Sequence, residues 1–309
     1  MGCHRRHNTL PAVPSQQPGS GEPGRRTAVG HNNRHGAVVN IGAATLDALL
    51  NTVADAEALA LRHSPAHADK KAHQDYVTDV DLAVDAFLQD ALELVLPGVP
   101  VLSEERAHDS TARLDRYWII DPIDGTGNLI AGLPFVGISV ALVDQDGPCL
   151  SAVCALGQGI TYAARRGYGA LRVQDGVTTR MLLPDQPSEL LVISTGLLDR
   201  LMEGTGTRWK ALRAVGKIRN LGAQALHLCG VAAGQFAGVA SIEAKIWDEV
   251  AAGLIIREAG GVWRSTADGD DVDWCNPASI MALGSQNSLA CHPVADPALS
   301  AALDGILGA

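Results

Sequence analysis

The chain is short of aromatic residues, of paired cysteines, of long apolar runs and of basic charge. Only 4% of its 309 residues are Phe, Trp or Tyr, so a core must come from Ala, Val, Leu and Ile within a hydrophobic content of 47%. No apolar stretch approaches the ~20 residues of a membrane-spanning helix. The longest, around Val136–Val143, has strand length, which predicts a soluble protein with no membrane partner. None of the six cysteines forms a Cys-x-x-Cys pair, and none opens a Cys-x₅-Arg loop. With no signal-peptide pattern, the first absence predicts reduced thiols in a cytoplasmic protein. The second argues against a cysteine-nucleophile phosphatase. Net charge is −10, and residues 1–38 carry Arg5, Arg6, Arg25, Arg26 and Arg34 against Glu22 alone, leaving −14 on the remainder. So acidic a body predicts no nucleic-acid partner.

What is present concentrates in residues 118–136. Trp118–Ile120 is a short, apolar, partly β-branched run that reads as a buried strand. Pro122 cannot donate to a ladder, so the strand is expected to stop and turn there. Asp121 and Asp124 would then project from one tight bend, followed at once by Gly125 and Thr126. Two carboxylates held that close repel unless a cation lies between them. Hard oxygen ligands suit Mg²⁺, and a helix starting after the bend would turn free N–H groups toward an anion. Elsewhere, Val99–Arg106 has a short strand that delivers Glu104 and Glu105 at its end, and Asp248 opens an apolar helix closed by Gly260-Gly261. Alone, Asp248 would be a plain helix cap and the glutamates a solvated turn; the pairing with Asp121 and Asp124 gives them a shared purpose.

In this order, Asp-Pro-Ile-Asp-Gly-Thr at 121–126, Trp247-Asp248 with Glu258-Ala259-Gly260-Gly261, and Asp75-Tyr-Val-Thr-Asp-Val-Asp81 resemble the inositol monophosphatase family of Mg²⁺-dependent, Li⁺-sensitive phosphatases. The likeness covers about residues 40 to 290. It implies an α+β fold, a layered αβαβα sandwich, and two or three Mg²⁺ ions. Matched position by position, Glu104, Asp121 and the carbonyl of Ile123 would hold one metal; Asp121, Asp124 and Asp248 would hold the second, with Asp121 as the bridge. A third ion would lean mainly on Glu104 and waters. Thr126 with Glu104 would orient and deprotonate the attacking water, while the amides of Gly125 and Thr126 would receive the phosphate. Asp75, Thr78, Asp81 and Lys70 would stand around the metals without binding them. The resemblance allows for a homodimer, although no segment of the sequence identifies an interface.

Organisation follows the composition. Residues 1–38, rich in Pro, Gly, Arg, His, Asn and Gln, read as a disordered basic tail. Residues 39–185 would form an N-terminal α+β half carrying most metal ligands, and 186–309 a C-terminal α/β half carrying Asp248. Helical spacing predicts helices over 41–62, 79–96, 199–215, 223–237, from 248 onward and over 297–307. Strands are expected at 99–102, 117–120, 137–143, 151–156, 161–164, 170–173, 190–194 and 279–283.

Departures from the family pattern fall on the substrate side. Gly127 stands where Thr is usual, Leu129 where Phe is usual, and Gly222-Ala223-Gln224 replaces Gly-Thr-Ala. The glutamate usual seven residues before the Trp-Asp aspartate is Ser241, with Glu243 two residues on. Gly222, Ala223, Glu243 and Asp248 are therefore candidate substrate contacts, with Glu243 a substitute only if the loop is rearranged. The predicted function is metal-activated water attack on a small phosphorylated metabolite, most of all inositol 1-phosphate. Histidinol phosphate, fructose 1,6-bisphosphate and 3′-phosphoadenosine 5′-phosphate are the alternatives, and a non-catalytic phosphometabolite-binding regulator is the alternative of another class. An aspartate-nucleophile phosphatase at Asp79-Val-Asp81 fails because Ala83 is the wrong residue and the segment enters a helix. The stretch 268–273 lacks the glycine and glutamate of a calcium loop.

Overall fold

In the computed structural model of the chain, the described residues are 41–63, 67–72, 75–106, 113–204, 206–266, 274–276, 280 and 285–307. The basic tail and the acidic stretch 268–273 lie outside them. So does the strand expected at 279–283, apart from Ile280, which is helical.

Helix α1 (Ala43–Arg62) and helix α2 (Asp79–Val95) form where the apolar spacing predicts them. Between them runs a hairpin of β1 (Ala68–Ala72) and β2 (Asp75–Thr78). Thr78 caps α2 in a reciprocal box, its hydroxyl accepting from Val80 N at 3.2 Å while Asp81 accepts from Thr78 N at 3.0 Å. A seven-stranded sheet follows: β3 (Val101–Ser103), β4 (Arg116–Asp124), β5 (Gly137–Asp144), β6 (Gly147–Ala155), β7 (Ile160–Arg165), β8 (Gly169–Gln174) and β9 (Val177–Met181), ordered as in the chain. All neighbours are antiparallel except β3 and β4. Helix α3 (Thr126–Ala131) interrupts the run after β4.

A five-stranded sheet is built from β10 (Leu190–Ile193), β11 (Lys217–Arg219), β12 (Gly238–Ala244), β13 (Val262–Thr266) and β14 (Gln286–Cys291), in the order β11-β10-β12-β14-β13. Helices α4 (Thr195–Met202) and α5 (Thr207–Val215) replace the single helix expected over 199–215, because the chain breaks at Gly206, whose φ is +75°. Helix α6 (Gln224–Ala232) stops short of the 237 expected, and the chain continues into β12. Helix α7 (Ile246–Glu258) and helix α8 (Asp296–Leu303) complete the described elements.

Side-chain alternation along the strands explains the layering. On β4, Trp118 and Ile120 join α1 and α2 through Leu49, Val53, Val84 and Leu88, whereas Tyr117 and Ile119 face α6 and α7. The far side of α6 and α7 packs on Val192, Val239 and Ala290 of the second sheet. That sheet's outer face, with Leu191, Ile193 and Ala240, is covered by Leu197, Leu212 and Leu299 of α4, α5 and α8. The five layers are therefore α, β, α, β and α.

Helix α7 is sandwiched between the sheets, and its small residues set the spacing. A Cβ at Gly253 would lie 2.3 Å from the ring of Trp263, which Arg257 covers from 4.6 Å. Gly253→Ala would gain about 1 kcal/mol of helix propensity but overpack a filled core at about 1–3 kcal/mol. Urea denaturation should show a net loss of stability; a stabilised variant would mean that the Trp263 ring is free to move.

Candidate active site

Strand β4 does not stop at Pro122. It runs on to Asp124 with one extra residue against its partner: Asp121 pairs with Ser139 and Asp124 with Gly137. This is a β-bulge, where a residue without an N–H is tolerated. The expected turn is thus a bulged strand, and both aspartates remain tied to the sheet. Asp121 Oδ1 accepts from Ile123 N at 3.0 Å across the bulge. Gly125 then adopts φ +92°, and a Cβ there would press on the Phe135 carbonyl at 3.0 Å and on Ala223 at 3.1 Å. Only glycine fits, and α3 begins at the next residue.

Two further elements end at the same place. Glu104 follows β3, whose Leu102 and Ser103 pair with Ile119 and Ile120 of β4. Asp248 lies in the first turn of α7, accepting from Lys245 N at 2.9 Å. Carboxylate oxygens of Glu104, Asp121 and Asp248 lie within 4.8 Å of one another. Asp124 stands beside them and caps α6 from outside that helix, accepting from Gln224 N at 3.0 Å and Ala225 N at 2.7 Å. Two helix N-termini therefore face one carboxylate cluster, each offering its positive end.

Helix dipoles do not neutralise it. Burial first, then the charges of Glu104, Asp124 and Asp248, push the Asp121 carboxyl well above its ordinary range. Asp248 is raised in the same way, by burial and then by Asp124 and Glu104. Asp124 is raised to about 7 by burial, against the amides of Ala225 and Gln224 that pull it down. Hard oxygen donors gathered at such an electrostatic cost fit a divalent cation of the Mg²⁺ type.

Around this cluster, Thr126 Oγ1 lies 2.9 Å from Asp81 Oδ1 and 3.1 Å from the Ile123 carbonyl. Its one proton is thus directed to Asp81 and Ile123. Asp81 and Thr78 are buried at the start of α2. Asp75 lies in β2, and Lys70 in β1 has an exposed side chain and lines neither cavity described next. A cavity of about 410 Å³ is lined by Tyr76, Glu104, Asp121, Ile123, Asp124, Gly125, Thr126, Gly127, Asn128, Gly222 and Asp248. A second, of about 230 Å³, shares Asp124, Gly222 and Asp248 with it and adds Ser194, Thr195, Asn220, Ala223, Gln224, His227, Ser241, Glu243 and Ala244.

Ser241 and Glu243 occupy a second bulge, between Ser241 and Ala244 of β12. The Ser241 hydroxyl is buried and accepts from Glu243 N at 3.2 Å and Ala244 N at 3.1 Å, while the exposed Glu243 lines the cavity and accepts from Gly196 N at 2.7 Å. The bulge places Glu243 on the cavity wall. Sequence reasoning gave no site role to Asn128, Asn220 or His227. Asn128 donates to the carbonyls of Phe135 and Leu221, both at 2.7 Å, and so ties the α3 region to the far wall. Its position just after the Asp-Gly-Thr run was the available signal.

The profile of the inositol monophosphatase family matches residues 35–302. A histidinol-phosphatase of Mycobacterium tuberculosis is 34% identical over 196 residues, covering 60% of this chain and 72% of that protein. The Nus factor SuhB of Escherichia coli is 31% identical over 206 residues, covering 63% and 73%. A staphylococcal inositol monophosphatase-1, solved as an inhibitory complex soaked in lithium chloride, superposes with a TM-score of 0.66 at 25% identity, covering 84% of this chain and 92% of that one.

Raised carboxyl pKa values make a stability prediction. Stability is fully present below the ordinary carboxyl pKa of 3.8 and is lost as pH rises through the raised values, which for Asp124 means about 7. In a chelator, the melting temperature should therefore fall as pH rises from about 4 to 8. Added Mg²⁺ should restore more at pH 8 than at pH 5; an equal gain at both would refute a coupled carboxylate metal site.

Proposed function

Because the chain belongs to the inositol monophosphatase family, we propose that it is a Mg²⁺-dependent phosphomonoesterase acting on a small phosphorylated metabolite. The observation that carries this reading is the convergence of Glu104, Asp121 and Asp248 within 4.8 Å. Glu104, Asp121 and the Ile123 carbonyl are assigned to one Mg²⁺, and Asp121, Asp124 and Asp248 to another, so that each half of the chain, 39–185 and 186–309, contributes. Bound Mg²⁺ would lower the pKa of a water and offset the charge of the phosphoryl oxygens.

The chain's own residues supply the rest. Thr126 points its proton at Asp81, which leaves its oxygen lone pairs to accept from the attacking water together with Glu104. The amides of Gly125 and Thr126 are the proposed phosphate donors. Gly222, Ala223 and Glu243 are assigned to the leaving group.

Among the described residues, neither cavity is lined by Lys or Arg. A second phosphate would meet Glu243 rather than a cation, which argues against fructose 1,6-bisphosphate and 3′-phosphoadenosine 5′-phosphate. Glu243, Asn220 and Thr195 suit a polyol or an amino alcohol. Inositol 1-phosphate is the first choice, and likeness to a histidinol-phosphatase supports histidinol phosphate as the alternative. Likeness to a protein named a Nus factor favours a second reading, a phosphometabolite-binding regulator. It also gives no support to the expectation of no nucleic-acid partner, which is withdrawn.

The test is phosphate release from inositol 1-phosphate, histidinol phosphate and the two bisphosphates, with and without Mg²⁺. Release from one monophosphate is expected; metal and ligand binding without release from any would establish the regulator. Asp121→Asn should lower kcat at least roughly a thousandfold, about 4 kcal/mol in the barrier, and near-normal turnover would sink the two-metal assignment. Millimolar Li⁺ should inhibit, and an insensitive enzyme would argue against the metal site assigned to Asp124 and Asp248.

A further inference from the structure

One residue after Asp248, Glu249 points into the interior rather than the cavity and is 0% exposed. Among the described residues it forms no ion pair with arginine or lysine. Among the described residues one side-chain donor reaches it: Gln224 Nε2 of α6 donates to its Oε1 at 2.8 Å. Its Oε2, the Ser288 hydroxyl and Trp263 Nε1 are buried without a hydrogen-bond partner, and the Ser265 hydroxyl donates to Gln286. The Gln224 bond is therefore what ties the Glu249 head group to the rest of the structure.

The Gln224 contact extends outward. With its NH₂ committed to Glu249, the amide must present Oε1 on the other side, where His227 Nδ1 lies 3.4 Å away. His227 Nε2 in turn accepts from the backbone N–H of Leu221 at 3.0 Å. Burial lowers the His227 pKa to about 4, so the ring is neutral, and the Leu221 bond requires its single proton on Nδ1. Every group in this chain of bonds has one orientation that satisfies its neighbours, running from Glu249 through Gln224 and His227 to Leu221. Leu221 adjoins Gly222, which lines both cavities, and the amides of Gln224 and Ala225 hold Asp124.

We infer that Glu249 is a positioning residue, acting through Gln224 and His227 to fix the 221–225 wall of the substrate cavity and the orientation of Asp124. This rests on the phosphatase reading above for its kinetic consequence, but not for its structural one. It gives the departure Gly222-Ala223-Gln224 a partner: Gln224 and Glu249 are a matched pair that bonds across two helices. His227, although it lines the cavity, is committed at both nitrogens and serves as part of the wall.

The test uses the full chain with Mg²⁺ and three variants, Gln224→Met, Glu249→Gln and the double. Gln224→Met keeps the backbone N–H to Asp124 and lies on a cavity wall, so it remains informative if Glu249→Gln fails to fold. In ¹⁵N imidazole spectra, with His227→Gln assigning the signal, the wild type should show His227 protonated on Nδ1, and Gln224→Met should move the proton toward a mixture of tautomers. With inositol 1-phosphate, Gln224→Met should raise KM roughly tenfold and change kcat less. The double variant should cost no more than the worse single, since both break one chain of bonds. An Nε2-protonated wild type, an unmoved tautomer or additive losses would each overturn the inference. A wild type that releases no phosphate would instead count against the phosphatase reading, and the spectra would still decide the positioning role.

Discussion

Repulsion among carboxylates is the constraint on which the rest of this structure depends. Asp121 and Asp124 are 2% and 6% exposed, and Glu104 and Asp248 are half-buried beside them. Nothing in a folding chain gathers like charges out of water without compensation. Here the compensation is partial and backbone-based: the start of α6 faces Asp124, the start of α7 carries Asp248, and the amide of Ile123 faces Asp121. The remainder of the charge is left for a cation, and that residual imbalance is what makes the place a candidate site and not a capped turn.

The central layer exists to deliver those two helix starts. Helices α6 and α7 lie between the sheets, so α6 is buried on nearly every side and α7 is apolar almost all round. Ala251, Ala252 and Gly253 let the sheets approach, and Gly253 receives the Trp263 ring. Glu249 is the exception in this helix, a charged residue at a wholly buried position. Gln224 of α6 is its side-chain hydrogen-bond partner among the described residues, and burial raises its carboxyl pKa.

Legibility in the sequence followed distance along the chain. Asp121, Asp124, Gly125 and Thr126 lie within six residues, and their closeness was readable from spacing alone. Glu104 and Asp248 were assigned by resemblance, and the structure brings both to Asp121. The five-layer order was likewise implied by resemblance, since no local pattern records which face of β4 meets which helix. Strand β12 was missed because its Gly, Val, Ala and Ser are buried on both faces and show no alternation. Strand β9 was missed because Val177–Arg180 are exposed. Pro122 misled because proline ends strands in general but is accommodated at a bulge. The Gln224–Glu249 bond joins residues 25 apart on separate helices, and only a charged residue in an apolar helix hinted at it.

The bulge in β4 carries a last consequence. Because the strand continues through Asp124, the separation of the two aspartates is held by the pairing of β4 with β5, in the seven-stranded sheet. The cavity wall, by contrast, is assembled from the 220–225 segment and the β12 bulge of the other sheet. Charge geometry and ligand shape are thus written on separate pieces of backbone. Residues 241 and 243 can be exchanged while the aspartate pair stays in register. Such a protein is well suited to acquiring new ligands within one unchanged chemistry.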